Sequence, residues 1–253
     1  MKIHNAYYSP RKFKMFKMPW ENTLFLGTEL ELELNRNHSV HSKADIMGEF
    51  LEEEKNDMFY FKDDASLNNG IEFVSHPFTL QYLHHEGKME KFFKKLKKEE
   101  FQAKDNCGIH IHLSKKFFTS EELQKLRIFF SVNRVEIMKF SKKTAKSIYD
   151  YSKYEMFSMK DFLRAPKTVT QDHRYALNLT THLSSTIEIR VFRATLDYKK
   201  FLSILQFCDA IGNFVKEINI VAIADYKKSW KLFLGWCKTA KTYKQFLKDK
   251  DIC

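Results

Sequence analysis

Gly27–Leu34, GTELELEL, is the stretch that decides the fold. Read as a strand, its alternation sends Glu29, Glu31 and Glu33 to one face and Leu30, Leu32 and Leu34 to the other. Same-face neighbours stand roughly 6–7 Å apart. Each adjacent carboxylate pair then costs about 0.6 kcal/mol in water and about 2.5 kcal/mol at an effective dielectric of 20. Glu is also a poor strand former. Such a strip persists in two settings: facing bulk water with the leucines in a core, or facing something cationic. The rest of the chain weighs toward the second.

The 253 residues can bury a sizeable core, and 43% hydrophobic content with 24 Phe and 11 Tyr argues for a folded globule. Only 7 Gly and 4 Pro leave little room for repeats or low-complexity linkers. The chain is therefore read as one domain over residues 1–253, with a basic arm over 1–21, a core over about 22–200 and a helical C-terminal part over 201–253. Lys and Arg number 43 against 32 Asp and Glu, a net +11, which suggests an anionic partner. The surplus is dispersed lysine, as in Lys91–Lys98 (KFFKKLKK), more typical of a solvated surface than of a binding stripe. Cys107, Cys208, Cys237 and Cys253 form neither a CxxC pair nor a regular framework, so a reducing, cytoplasmic setting is expected. The N-terminus has no continuous apolar run, so it is not read as a signal peptide, and no stretch is long enough to span a membrane.

Period-two alternation predicts strands over Leu24–Leu34, Met58–Lys62, Ile71–Ser75, Ile109–Ser114, Tyr175–Thr181 and Thr186–Arg193, the last two as a hairpin. Helical spacing predicts helices over Ala44–Glu54, Leu80–Glu100 and Phe201–Ile218. Another, behind the Thr119/Glu122 capping-box signal, carries Leu123, Leu126, Phe130, Asn133 and Ile137 on one stripe. Asn133 is read there as a hydrogen-bonded core amide. The segment from Tyr226 is a basic, aromatic helical tail. The expected fold class is α+β, a mostly antiparallel sheet of about six strands with helices packed on its outer face. Its polar face must then be covered or functional.

Four further stretches carry polar groups. Asp64-Ala-Ser66-Leu-Asn-Asn-Gly70-Ile-Glu72 places a carboxylate on each side of a turn, so both can return to one point. Cys107-Gly-Ile-His110-Ile-His112-Leu-Ser114 puts two imidazoles and a hydroxyl on one strand face. Arg174-Tyr-Ala-Leu-Asn178 comes next. In Thr186-Ile-Glu188-Ile-Arg190-Val-Phe-Arg193, Glu188 and Arg190 share a face. An Arg beside a Glu is usually an ion pair, but its planar fork also suits phosphate or carboxylate. Carboxylates with one or two imidazoles suit Mg²⁺ or Mn²⁺ better than zinc.

GTELEL, DASLNNGIEFVSHP, CGIHIHLS, RYALNL and TIEIRVFRATLD occur in the order found in the amidoligase family, which belongs to the carboxylate–amine ligase superfamily of glutamine synthetase and glutamate–cysteine ligase. The chain resembles that family from about Leu24 to Leu196. The resemblance implies a curved antiparallel sheet like the glutamine synthetase catalytic domain, and an ATP- and Mg²⁺-dependent ligase joining a carboxylate substrate to an amine through an acyl phosphate. By similarity, Glu31, Asp64 and Glu72 would hold one metal, and Glu29, His110 and Glu188 the ATP-side metal. His112 and Ser114 resemble nucleotide contacts. Arg190 resembles the phosphate clamp, with Arg193, Arg174 and Asn178 as further ligand contacts; Arg190, Glu188 and Glu72 would carry catalysis. Asp64 departs from the Glu of glutamine synthetase. Glu33 has no counterpart and is read as facing solvent. No glutaminase module is seen, so the amine is expected free or from a partner.

The competing expectation is a single-strand DNA nickase or replication initiator, which holds one metal with a His-hydrophobic-His strand and attacks with a downstream tyrosine. His110-Ile-His112 and Tyr149 or Tyr151 of Tyr149-Asp-Tyr-Ser-Lys153 fit that pattern. Nucleic acid is thus a possible partner but not the favoured one, because Glu29, Glu31, Glu72, Glu188 and Arg190 would be left without a role.

Overall fold

The leucine face of the decisive stretch needs a core, and phenylalanines are the largest fully buried side chains in it. In the computed structural model, which describes residues 2–5, 22–83, 87–144, 152–154, 175–179 and 185–249, Leu30, Leu32 and Leu34 are buried among Phe61, Phe73, Phe92 and Phe101. Fully burying one such side chain contributes about 1.5–3 kcal/mol. The fold is α+β: an open sheet, seven strands of which lie among the described residues, with helices.

The strands are β1 (Ile3–His4), β2 (Leu26–Glu33), β3 (Phe59–Lys62), β4 (Gly70–Ser75), β5 (Gly108–Ser114), β6 (Leu177–Asn178) and β7 (Thr186–Arg193). Their order across the sheet is β1-β3-β4-β2-β5-β7-β6. Every pair is antiparallel except β1 with β3, which is parallel. The seventh strand comes from the N-terminal arm expected to be irregular: Ile3 and His4 add to the edge beside Phe61 and Lys62. So short a strand has no room to show period two, which is why alternation did not find it.

The helices are α1 (Val40–Glu53), α2 (Leu80–Leu83), α3 (Lys88–Lys98), α4 (Ser120–Val132), α5 (Arg134–Ser141), α6 (Tyr198–Glu217), α7 (Ile220–Ala224), α8 (Ser229–Thr239) and α9 (Lys244–Leu247). The helix expected over Leu80–Glu100 is present as α2 and α3, with Gly87 at φ +62° before the second. The helix expected through Asn133 is broken there into α4 and α5. Asn133 is a buried amide, donating to Phe129 O at 3.0 Å and to Ser229 Oγ at 3.0 Å, so its polar side chain ties α4 to α8. The capping box is formed: Glu122 N donates to Thr119 Oγ1 at 3.2 Å, and Thr119 N to Glu122 Oε2 at 2.8 Å. α6 packs its Phe201, Phe207 and Phe214 into the core, where Phe207 meets Phe140, Phe192, Phe233 and Phe246 edge-on or tilted. No helix among the described residues is long and apolar enough to cross a membrane. With the apolar face of the sheet buried by helices, the glutamates share the opposite face with whatever the neighbouring strands present there.

Candidate functional site

Register decides what each glutamate meets. Glu31 lies opposite Glu72 on β4, Glu29 opposite His110 on β5, and His112 opposite Glu188 on β7. Because directly opposed residues share a face, the four central strands build one continuous polar surface from residues far apart in the chain. Although this face carries the charges, Glu31, Glu72, His110 and Glu188 are buried.

Among the described residues, two groups of possible ligands form. Glu31, Asp64 and Glu72 each bring one carboxylate oxygen into a set lying within 4.8 Å of one another, and Glu29 and Glu188 carboxylate oxygens with a His112 ring nitrogen form a second such set. The first matches the set expected from the sequence. The second contains His112 where His110 was expected. His110 sits between the groups: its Nδ1 is 3.1 Å from Glu29 Oε2 and 3.7 Å from Glu188 Oε1, and its Nε2 is 3.6 Å from Glu31 Oε1. His112 Nε2 lies 3.2 Å from Glu29 Oε1, an ion-pair contact without hydrogen-bond alignment, and its Nδ1 is 3.3 Å from Thr186 Oγ1. Period two put both histidines on the face; only the register says which one lies directly opposite Glu188.

The electrostatics are those of an acidic basin short of counter-charge. Burial raises the Glu72 carboxyl to about 9, with Glu29, Asp64 and Glu31 adding repulsion that Lys62 offsets only in part. At neutral pH it holds its proton. Burial also works against ionised Glu29, but His112 and His110 outweigh it and hold that carboxyl well below the usual carboxylate range. In return, Glu29 raises His112 despite its burial. A divalent cation would relieve the same repulsion, and an oxygen-rich donor set with one imidazole suits Mg²⁺ or Mn²⁺.

Arg190 stands at the β7 side. Its Nη1 donates to Glu188 Oε1, while its buried Nε has no hydrogen-bond partner among the described residues. An orphaned guanidinium N–H beside carboxylates is a donor waiting for an anion. Asn178 Nδ2 donates to Glu188 Oε2 at 3.2 Å, so this amide steadies a carboxylate. Ser114 Oγ accepts the Phe25 N–H at 3.1 Å, a backbone tie. Arg193 pairs with exposed Asp105 at 2.7 Å. A bulge in β7 opposite His110 returns Phe192 to the core and puts Arg193 opposite Gly108. Arg174, Tyr149 and Tyr151 lie outside the described residues.

Glu33 is not solvent-facing. It is 2% exposed, accepts the Asn68 N–H at 3.0 Å and the Asn106 amide at 2.6 Å, and pairs with Lys104 at 2.8 Å. Burial alone would raise its carboxyl, but these donors bring it down to about 2. It is a structural carboxylate at the end of the strip.

Two participants escaped the sequence reading. Gly108 donates its N–H to Glu31 Oε2 at 2.6 Å, and a Cβ there would come within 3.2 Å of both Glu31 Oε2 and His110 Nε2. The CGIHIH segment contains it, but nothing local marks it as a donor to a residue 77 positions away. Lys143 follows α5 on a turn without periodicity. Its ammonium lies over Gly108, and burial lowers it to about 8 against the attraction of Glu31. A scan against known protein families and a search of curated proteins both return no match to this chain.

Proposed function

We propose that the protein is an ATP- and Mg²⁺-dependent carboxylate–amine ligase, with a glutamine synthetase-like sheet as its scaffold. The observation that carries this reading is the pair of three-residue ligand groups on the polar face of the sheet, with Asp64 joining from the turn after β3. Glu31, Asp64 and Glu72 would hold one divalent ion and Glu29, His112 and Glu188 the other. Bound there, the ions would neutralise charge on the phosphate oxygens and the acid substrate.

The protein's own groups supply the rest. Gly108 N–H fixes Glu31, Asn178 fixes Glu188, and His110 links Glu29 to Glu31 and Glu188, so the ligands are held before anything binds. The orphaned Arg190 N–H is available to oxygens of the transferred phosphoryl group. In the reaction, an oxygen of the substrate carboxylate takes the γ-phosphoryl group and ADP leaves. The amine nitrogen then attacks the acyl carbon, phosphate departs, and the nitrogen loses a proton to leave an amide.

The test is amine-dependent release of ADP and phosphate by the purified protein across a panel of acids, with Mg²⁺ or Mn²⁺. Glu31→Gln and Glu188→Gln should each weaken binding of ATP with Mg²⁺ by tenfold or more, since losing a direct ligand costs at least as much as losing a group that orients one. Wild-type affinity in both variants would overturn the metal assignment.

A further inference from the structure

The β7 bulge leaves one backbone group to account for. Arg190 lies against Ala176, and its N–H donates to Ala176 O at 3.0 Å. An antiparallel pair of this kind would return the Ala176 N–H to Arg190 O. That N–H instead donates to Lys153 O at 2.7 Å. Two side chains replace it: Lys143 Nζ donates to Arg190 O at 2.8 Å and Ser152 Oγ at 2.7 Å, while Lys143 Nζ also donates to Ser152 Oγ at 2.9 Å. Ser152 is fully buried. Lys142, at φ +58°, turns the chain so that the next residue can reach inward from the end of α5.

A neutral donor would satisfy a carbonyl at lower desolvation cost than an ammonium placed near a guanidinium. What the ammonium adds is a charge-assisted bond, about twice as strong as a neutral one, and a positive charge on the Glu31 side of the face. We propose that Lys143, acting with Ser152, is a positioning residue for Arg190: it pins the bulged carbonyl and thereby aims the guanidinium along the acidic face. Its catalytic consequence rests on the ligase reading; the pin itself does not.

Three variants test it. Lys143→Met removes donor and charge in a similar volume, Lys143→Arg keeps both, and Ser152→Ala removes only the hydroxyl. The first readout is the ¹⁵N resonance of the Arg190 Nε–H, assigned by its loss in Arg190→Lys. The resonance should move in Lys143→Met and Ser152→Ala and return toward its wild-type position in Lys143→Arg. A resonance unmoved in the first two overturns the proposal. The second readout is amine-dependent ADP release, where Lys143→Met should lower kcat about 100-fold with KM for ATP nearly unchanged, and Lys143→Arg should recover most of it. A rise in KM at constant kcat would overturn the positioning role. If wild type releases no ADP with any acid and amine while the resonance still moves, the ligase reading fails and the pin stands. Should Lys143→Met not fold, Ser152→Ala carries both readouts.

Discussion

Glu72→Gln should make the metal-free protein more stable, and the size of the effect follows from the basin. The Glu72 carboxyl moves from an ordinary value of 4.5 to about 9 on folding. Between those values the native state binds more protons than the unfolded chain, so stability falls as pH rises. At pH 7 the window crossed is about 2.5 units, and at 1.36 kcal/mol per unit Glu72 costs the fold about 3 kcal/mol. The full deficit, about 6 kcal/mol, is reached near pH 9. Glutamine is nearly isosteric and carries no proton to lose. Urea melts of chelator-treated protein at pH 5 to 8.5 should therefore show the variant gaining on wild type as pH rises, by about 3 kcal/mol at pH 7. That gain corresponds to roughly 6–12 °C in Tm for a chain of this size. His112 and Asp209, also raised on folding, slope in the same direction, so the difference between the two proteins isolates Glu72. Adding Mg²⁺ or Mn²⁺ should stabilise wild type and do much less for the variant. A difference flat with pH, or a variant less stable than wild type without cation, would refute the reasoning.

Glu33→Gln should behave in the opposite sense, losing about 1–2 kcal/mol at neutral pH after allowance for screening through half-exposed Lys104. Its depressed carboxyl makes that contribution fully present above pH 4.5 and lost as pH falls toward 2, which acid-unfolding curves would detect. Gly108→Ala should weaken Mn²⁺ binding about tenfold, because the added methyl displaces Glu31 and His110 by a few tenths of an ångström; calorimetric titration reads this directly. Thr119→Ala should cost about 1 kcal/mol in urea melts through loss of the capping box while leaving Mn²⁺ affinity unchanged.

What the sequence determined by itself is which side chains share a face. Strand alternation is a property of the local backbone, so Glu29, Glu31, Glu72, His110, His112, Glu188 and Arg190 could be put on a polar face one stretch at a time. The capping box and the buried Asn133 were legible for the same local reason. The tertiary structure decided everything that depends on pairing between distant strands. Register put His112 opposite Glu188, caged Glu33 with donors from two loops, and brought the Gly108 N–H to Glu31. A bulge put Arg193 opposite Gly108, and a ladder bond diverted to Lys153 left Arg190 O for Lys143 and Ser152. Alternation repeats every two residues along one chain, whereas register is chosen by the packing of the whole sheet, and no single strand contains that information.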